Sequence, residues 1–210
     1  WNLLHWAARS GYRESIQFIL SLYPETERLQ ALCTQDKDTR IVLHHAARSG
    51  NLESLKTVLL LYPESERLRA VSMKGNNGWT VLHHAAESGD LECIKFILSH
   101  YPETEHLSAV NMSGNDGWTV LHCAAQSGNF ESIEAILDLY PESERLQALD
   151  TTNRHGETVL HCAVDAGEIE CIKAILSLYP ESQRLQALNT QDIEGKTVLT
   201  RMTEETRDAI

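Results

Sequence analysis

Gly78-Trp79-Thr80-Val81-Leu82-His83-His84-Ala85-Ala86-Glu87-Ser88-Gly89 decides the fold, because copies of it recur along the whole chain. Its Leu-His pair returns at Leu4-His5, Leu43-His44, Leu121-His122 and Leu160-His161 and ends as Leu199-Thr200, each pair 39 residues from the next. A second marker keeps the same step: Tyr23-Pro24, Tyr62-Pro63, Tyr101-Pro102, Tyr140-Pro141 and Tyr179-Pro180. No insertion or deletion breaks the register, so each copy is expected to be one structural unit stacked on the last. The units fall at about 1–39, 40–78, 79–117, 118–156 and 157–195, with a partial sixth at 196–210, and are expected to build one elongated domain.

Within a unit the pattern predicts helices. Thr80 is a good N-cap, Val81 to Ala86 carry apolar residues at helical spacing, and Ser88-Gly89 supplies a left-handed stop. Asp90 caps a second helix whose Ile94, Ile97 and Leu98 form an i, i+3, i+4 stripe. That helix is expected to end near His100, since Pro102 pushes the residue before it out of the α region. Pro102 then opens a short third helix at its first position, with Glu103 and Glu105 in the first turn and Leu107 and Val110 as its apolar edge. Asn115-Asp116-Gly117 signals a tight hairpin leading into the next Thr.

Composition narrows the function. The net charge of −12 concentrates in repeated Pro-Glu-Ser-Glu and Pro-Glu-Thr-Glu segments, which repel a phosphate backbone and argue against nucleic acid as a partner. No apolar run approaches the roughly 18 residues of a membrane span, so the array is expected to be soluble and away from membranes. The chain begins at Trp1, which leaves room for further domains on either side. Five cysteines fit a reducing, cytoplasmic compartment better than a disulfide scaffold. Equivalent positions on stacked helices lie about 8–10 Å apart, beyond the roughly 7 Å reach of a disulfide, so Cys123 and Cys162 are expected to be small core side chains.

Gly117-Trp118-Thr119-Val120-Leu121-His122-Cys123-Ala124-Ala125-Gln126-Ser127-Gly128 resembles the ankyrin repeat, whose pattern runs Gly-x-Thr-Pro-Leu-His-x-Ala-Ala-x-x-Gly, and the resemblance covers essentially the whole chain. It implies an all-α solenoid of helix pairs with hairpin or loop fingers, the pairs starting near Leu3, Val42, Val81, Val120 and Val159 and a degenerate sixth start at Val198. The chain departs from the pattern in three places. Val replaces the usual proline after Thr. Six residues beyond the ordinary 33 lie between the second helix and the hairpin, where the third helix is expected. In the second unit Thr39 and Ile41 stand where the others carry Gly and Thr, so a distorted hairpin is expected there.

His5, His44, His83, His122 and His161 occupy the family's Leu-His site, which implies a structural bridge from cap to neighbouring backbone. The tandem pairs His44-His45 and His83-His84 point about 100° apart on a helix and do not close on one metal. The same geometry removes His122-Cys123 and His161-Cys162 as catalytic dyads, so neither a catalytic residue, a metal nor a cofactor is expected. The residue between hairpin Gly and Thr varies freely: Arg40, Trp79, Trp118, Glu157 and Lys196. Indole is a common interface anchor, and the resemblance places these positions, the hairpin tips and the end of the first helix on a concave partner-binding face. The candidate surface is therefore Asn76, Asn77, Trp79, Glu87 and Ser88, then Asn115, Asp116, Trp118, Gln126 and Ser127, continued by Arg154, His155, Glu157 and Asp165. Local packing of the indoles over their own hairpins is the competing reading. Trp6, His45, His84, Cys123 and Cys162 are expected to be half-buried.

The function implied is a monomeric, non-catalytic scaffold that binds an unidentified protein partner. The alternative is the recognition arm of a larger enzyme or secreted effector. Ankyrin arrays with unusual inserts are similar to those of effectors that intracellular bacteria deliver into host cytosol.

Overall fold

A threonine in extended backbone precedes most of the first helices; Thr119, at φ −94° and ψ 170°, turns the chain and caps the helix Val120–Ser127. The computed structural model describes residues 1–210. Each full unit folds as three successive helices. They are α1 Leu3–Ser10, α2 Arg13–Ser21 and α3 Glu25–Leu32; then α4 Val42–Arg48, α5 Leu52–Leu59 and α6 Glu64–Ser72. The third unit has α7 Val81–Ser88, α8 Leu91–Leu98 and, after a 3₁₀ turn at Glu103–Glu105, α9 His106–Asn111. The fourth has α10 Val120–Ser127, α11 Phe130–Leu137 and α12 Glu142–Asp150, and the fifth α13 Val159–Ala166, α14 Ile169–Leu178 and α15 Glu181–Leu188. The remnant unit keeps α16 Val198–Arg201 and α17 Glu204–Ala209. The expected first-helix starts and the extra third helix are both present.

Local chemistry sets these boundaries. Asn51, Asp90 and Asn129 cap the second helices by accepting the amide protons of Ser54, Cys93 and Ser132. The prolines differ from expectation by one position. Pro63, at φ −51° and ψ 142°, is the N-cap of α6 and not its first helical residue. Its fixed φ suits extended backbone equally well, and Glu64 takes the first helical position with its charge at the positive helix end. The third helix in turn finishes the second. Arg67, Arg145 and Arg184 donate from Nε to the carbonyls of Tyr62, Tyr140 and Tyr179 at 3.2, 3.4 and 3.2 Å, and His106 reaches Tyr101 in the same way.

The chain divides into two compact units, Trp1–Ala109 and Val110–Ile210. In the first, α1, α4 and α7 pack side by side, with α2, α5 and α8 as the second row. Leu4, Ile16, Leu43, Leu55, Leu82 and Ile94 are buried between the rows. In the second, α10, α13 and α16 form one row and α11 and α14 the other, around Leu121, Ile133, Ile136, Leu160 and Ile172. A buried tyrosine ties neighbouring repeats inside each unit. Tyr62 donates its hydroxyl proton to the Leu32 carbonyl at 3.2 Å, and Ser72 donates to the Tyr101 hydroxyl at 3.1 Å. Tyr140 and Tyr179 donate to the side chains of Asn111 and Asp150 at 2.6 and 2.9 Å. The step is 30 residues back for Tyr62 and 29 for the others, in each case onto the end of the preceding third helix.

All five cysteines are free thiols, with Cys33 exposed and the other four buried. Burial raises the Cys93 and Cys162 thiols far above their usual range and Cys171 to about 11. The second hairpin corrects the expectation of distortion. It closes with Asp36 N on the Arg40 carbonyl at 2.9 Å and Thr39 N on the Asp36 carbonyl at 3.0 Å, the same bonds that close its neighbour at Gly75 and Gly78. Thr39 achieves this by adopting φ 56°, the left-handed conformation that the other hairpins give to glycine. Ile41 has no side-chain oxygen for the cap, yet its amide still bonds His44 Nδ1 at 3.2 Å.

Candidate protein-binding surface

The hairpins do not hang as separate fingers. In the first unit the Asn76 amide donates to the Asp38 carbonyl at 2.8 Å. Asn76 also bonds Thr39 Oγ1 and the Lys37 carbonyl through its side chain, at 3.0 and 3.3 Å. In the second unit Arg154 N reaches the Asp116 carbonyl at 2.7 Å and Ile193 N the His155 carbonyl at 2.9 Å. Glycine is required where hairpins meet this closely. Gly156 sits at φ 73°, and a Cβ there would lie 3.0 Å from Ile193 N.

Side chains lock each turn from within. Asn77 Oδ1 accepts from Trp79 N and Asp116 Oδ1 from Trp118 N, both at 3.2 Å. Asp36, Asn153 and Asp192 do more. Each accepts two hairpin amides, those of Asp38 and Arg40, His155 and Glu157, and Glu194 and Lys196, at 2.8–3.1 Å. Asp36 is also bonded by His45 Nε2 at 2.9 Å and by Arg40 Nε at 3.2 Å. Burial alone would raise its pKa, but the two amides, the His45 hydrogen bond and the Arg40 guanidinium hold the carboxyl well below the usual range. These turn-locking residues were not singled out from the sequence. Their signal is an Asp or Asn recurring in the 39-residue register at 36, 153 and 192, obscured because Gly75 and Gly114 interrupt it.

The five Leu-His histidines share one geometry. Nδ1 accepts the backbone N–H of the cap residue, at 3.1 Å from Asn2 to His5 and 3.2 Å from Thr119 to His122. The ring proton therefore sits on Nε2. In three of the five it is donated to backbone of the following segment: Thr34 O from His5 at 3.0 Å, Met73 O from His44 at 3.0 Å, and Glu157 O from His122 at 3.1 Å. Thr80 and Thr158 bond Nδ1 of His83 and His161 in the same manner. A second proton on Nδ1 would face an N–H donor. Burial adds to that and lowers the pKa of His5, His122 and His161, and of His44 to about 3.

The candidate surface residues divide by exposure. Asn76, Asn77, Asn115, Gln126, Arg154, His155 and Asp165 are exposed, while Asp116, Glu87, Ser88, Ser127 and Glu157 are half-buried. Trp79 and Trp118 are half-buried as well. The Trp79 ring stacks on His83 with centroids 5.8 Å apart and 24° between planes, and lies 5.4 Å from His84; Trp118 lies 6.0 Å from His122. Each indole thus rests on the histidine of its own repeat. Glu87 is engaged by Arg48 at 2.7 Å and His84 at 3.2 Å. Glu157 and Asp165 are held by Arg201 at 2.9 and 2.6 Å, together with Asp192. His45, His84, Cys123 and Cys162 are fully buried rather than half-buried, while Trp6 is 60% exposed. His45 is covered by the hairpin that precedes its helix, bonding Asp36 at 2.9 Å, and the His84 ring lies against Trp79 of its own preceding hairpin.

No group of three or more His, Cys, Asp or Glu side chains is gathered as a metal site, and no helix is long and apolar enough to cross a membrane. No curated protein matches the chain. The family model for ankyrin repeats (3 copies) matches it in three overlapping stretches, 4–108, 43–147 and 104–189. With helix-helix-hairpin units, the Thr-x-x-His bridge and this match across most of its length, the chain belongs to the ankyrin-repeat family, whose domains are generally protein–protein interaction modules.

Proposed function

We propose that the chain is a non-catalytic scaffold that binds a partner protein through its hairpin tips and the adjoining ends of its first helices. The observation that carries this reading is the main-chain bonding between hairpins. It presents Asn76, Asn77, Asn115, Asp116, Arg154 and His155 from backbone that is already fixed, so little ordering entropy is lost on binding. Trp79 and Trp118 supply half-buried aromatic edges beside them, and Glu87, Gln126, Glu157 and Asp165 continue the polar rim. The five free thiols support a reducing, cytoplasmic setting. The register runs unbroken past residues 109 and 110, which supports treating 1–210 as one domain.

The test is affinity capture followed by identification of the partner, repeated with a Gln126→Lys, Arg154→Glu, His155→Glu variant. These side chains are exposed, so the thermal midpoint should hold while the partner is lost. A partner retained at equal affinity by the triple variant refutes the assignment.

A further inference from the structure

Away from the hairpins, α2, α3 and α5 of the Trp1–Ala109 unit enclose an open groove of about 420 Å³. Its walls carry Arg13, Arg28 and Lys56 against a single carboxylate, Glu53, and Leu60 and Leu61 expose 53% and 43% of their surface along it. In a chain of net charge −12 this is an inversion of the general surface.

Two grooves of the Val110–Ile210 unit share its register; that of the fifth repeat carries Lys173 and Arg184 against Glu181, and the first-repeat groove adds to this pattern a third cation, Arg13. The fourth-repeat groove, about 320 Å³, carries Glu134, Asp138 and Glu142 against Arg145 alone. There Asp138 neutralises Arg145 at 3.0 Å. In the first repeat the position of Asp138 is Ser21, and Arg28, the counterpart of Arg145, meets no carboxylate. Arg28 is instead held in place through Nε by the Leu20 and Tyr23 carbonyls at 3.2 and 3.4 Å. Arg13 stands where the other units carry Leu52, Leu91, Phe130 and Ile169. Glu53 is shared between Lys56 at 3.1 Å and Arg13 at 3.7 Å, so it does not discharge the groove.

We propose that this groove is a second docking site, for an acidic amphipathic peptide segment of a partner protein. A bulky apolar side chain of the segment rests on Leu60 and Leu61 while Asp or Glu carboxylates pair with Arg13 and Arg28. A guanidinium fork already fixed by backbone carbonyls loses little freedom on pairing and matches a carboxylate bidentately. Binding of this kind is steered by charge and weakens with salt.

The full chain is titrated against a fluorescein-labelled helical peptide with Leu and Glu at i and i+4, and against its Glu→Gln counterpart, by fluorescence anisotropy. The acidic peptide should bind saturably, and the Gln counterpart about tenfold more weakly. Arg13→Glu with Lys56→Glu should abolish the difference with at most a small shift of the melting curve, since the side chains are 50% and 37% exposed and their pairing with Glu53 is screened by solvent. Arg13→Leu, which restores the residue of neighbouring repeats, should give a partial loss, and the hairpin-tip triple variant should bind normally. Equal affinity for both peptides, absence of saturation, or binding that survives Arg13→Glu with Lys56→Glu overturns the proposal. So does a concentration-dependent rise in mass that the charge reversal removes, which would assign the groove to a second copy.

Discussion

Thr39 holds a β-branched side chain at φ 56°, where its counterpart Gly156 sits at 73°. Left-handed backbone costs a non-glycine residue roughly 1–2 kcal/mol, and the Oγ1 bond to Asn76 at 3.0 Å returns part of that. Thr39→Gly should therefore stabilise the protein by about 0.5–1 kcal/mol, read as a raised urea midpoint at unchanged m-value. An unchanged or lowered midpoint would mean that the Asn76 bond outweighs the strain. The sequence made the substitution visible but pointed to distortion. The hairpin is over-determined by bonds that ignore side-chain identity, Asp36 N to Arg40 O among them, so the strain is carried in one φ angle and leaves the turn's shape intact.

The helices were legible element by element. Caps such as Asp90, the apolar stripe of α8 and the Tyr-Pro break each act within a few residues of one another, the range over which spacing fixes geometry. The role of the tyrosines was not legible. Their hydroxyl partners lie 29 or 30 residues back on the preceding repeat, and partners as different as a Leu32 carbonyl, Ser72, Asn111 and Asp150 leave no pattern to read. The candidate surface was legible as a set of positions, but not the engagement of Glu157 and Asp165 by Arg201, which arises only in the degenerate sixth unit. Tyr140→Phe removes one such link and should cost about 1 kcal/mol. Tyr23→Phe, at a tyrosine that is only half-buried, should cost less than about 0.5 kcal/mol. Equal losses by chemical denaturation would place the tyrosine contribution in ring packing.

For the molecule as a whole, protons and charge set the working range. Burial lowers His44 from 6.5 to about 3 and His45 to about 4, so both rings are neutral when folded and charge on unfolding. The unfolded chain then binds more protons below its histidine pKa. Stability is full above about pH 6.5 and falls as the pH drops toward 4, by about 1.4 kcal/mol per pH unit for each ring. Denaturation measured across pH 7.5 to 4.5 should show this slope, and a flat profile would mean that the rings are charged or accessible in the fold. Arg201 reads in the opposite part of the scale. Bonded by Arg201, Asp192 is held down to about 2 from 3.8. Arg201→Met should lower the thermal midpoint at neutral pH, and the deficit should fade as the pH falls from about 4 through 2. A deficit independent of pH would assign Arg201 to packing alone.

Hairpins joined amide to carbonyl, as Arg154 is to Asp116, draw their order from atoms every residue possesses. Lettering at the tips is thereby uncoupled from the frame that displays it. Sequence drift at the exposed 154 and 155 can retarget the array without taxing its stability, so new specificities should be selectable from libraries confined to those two codons.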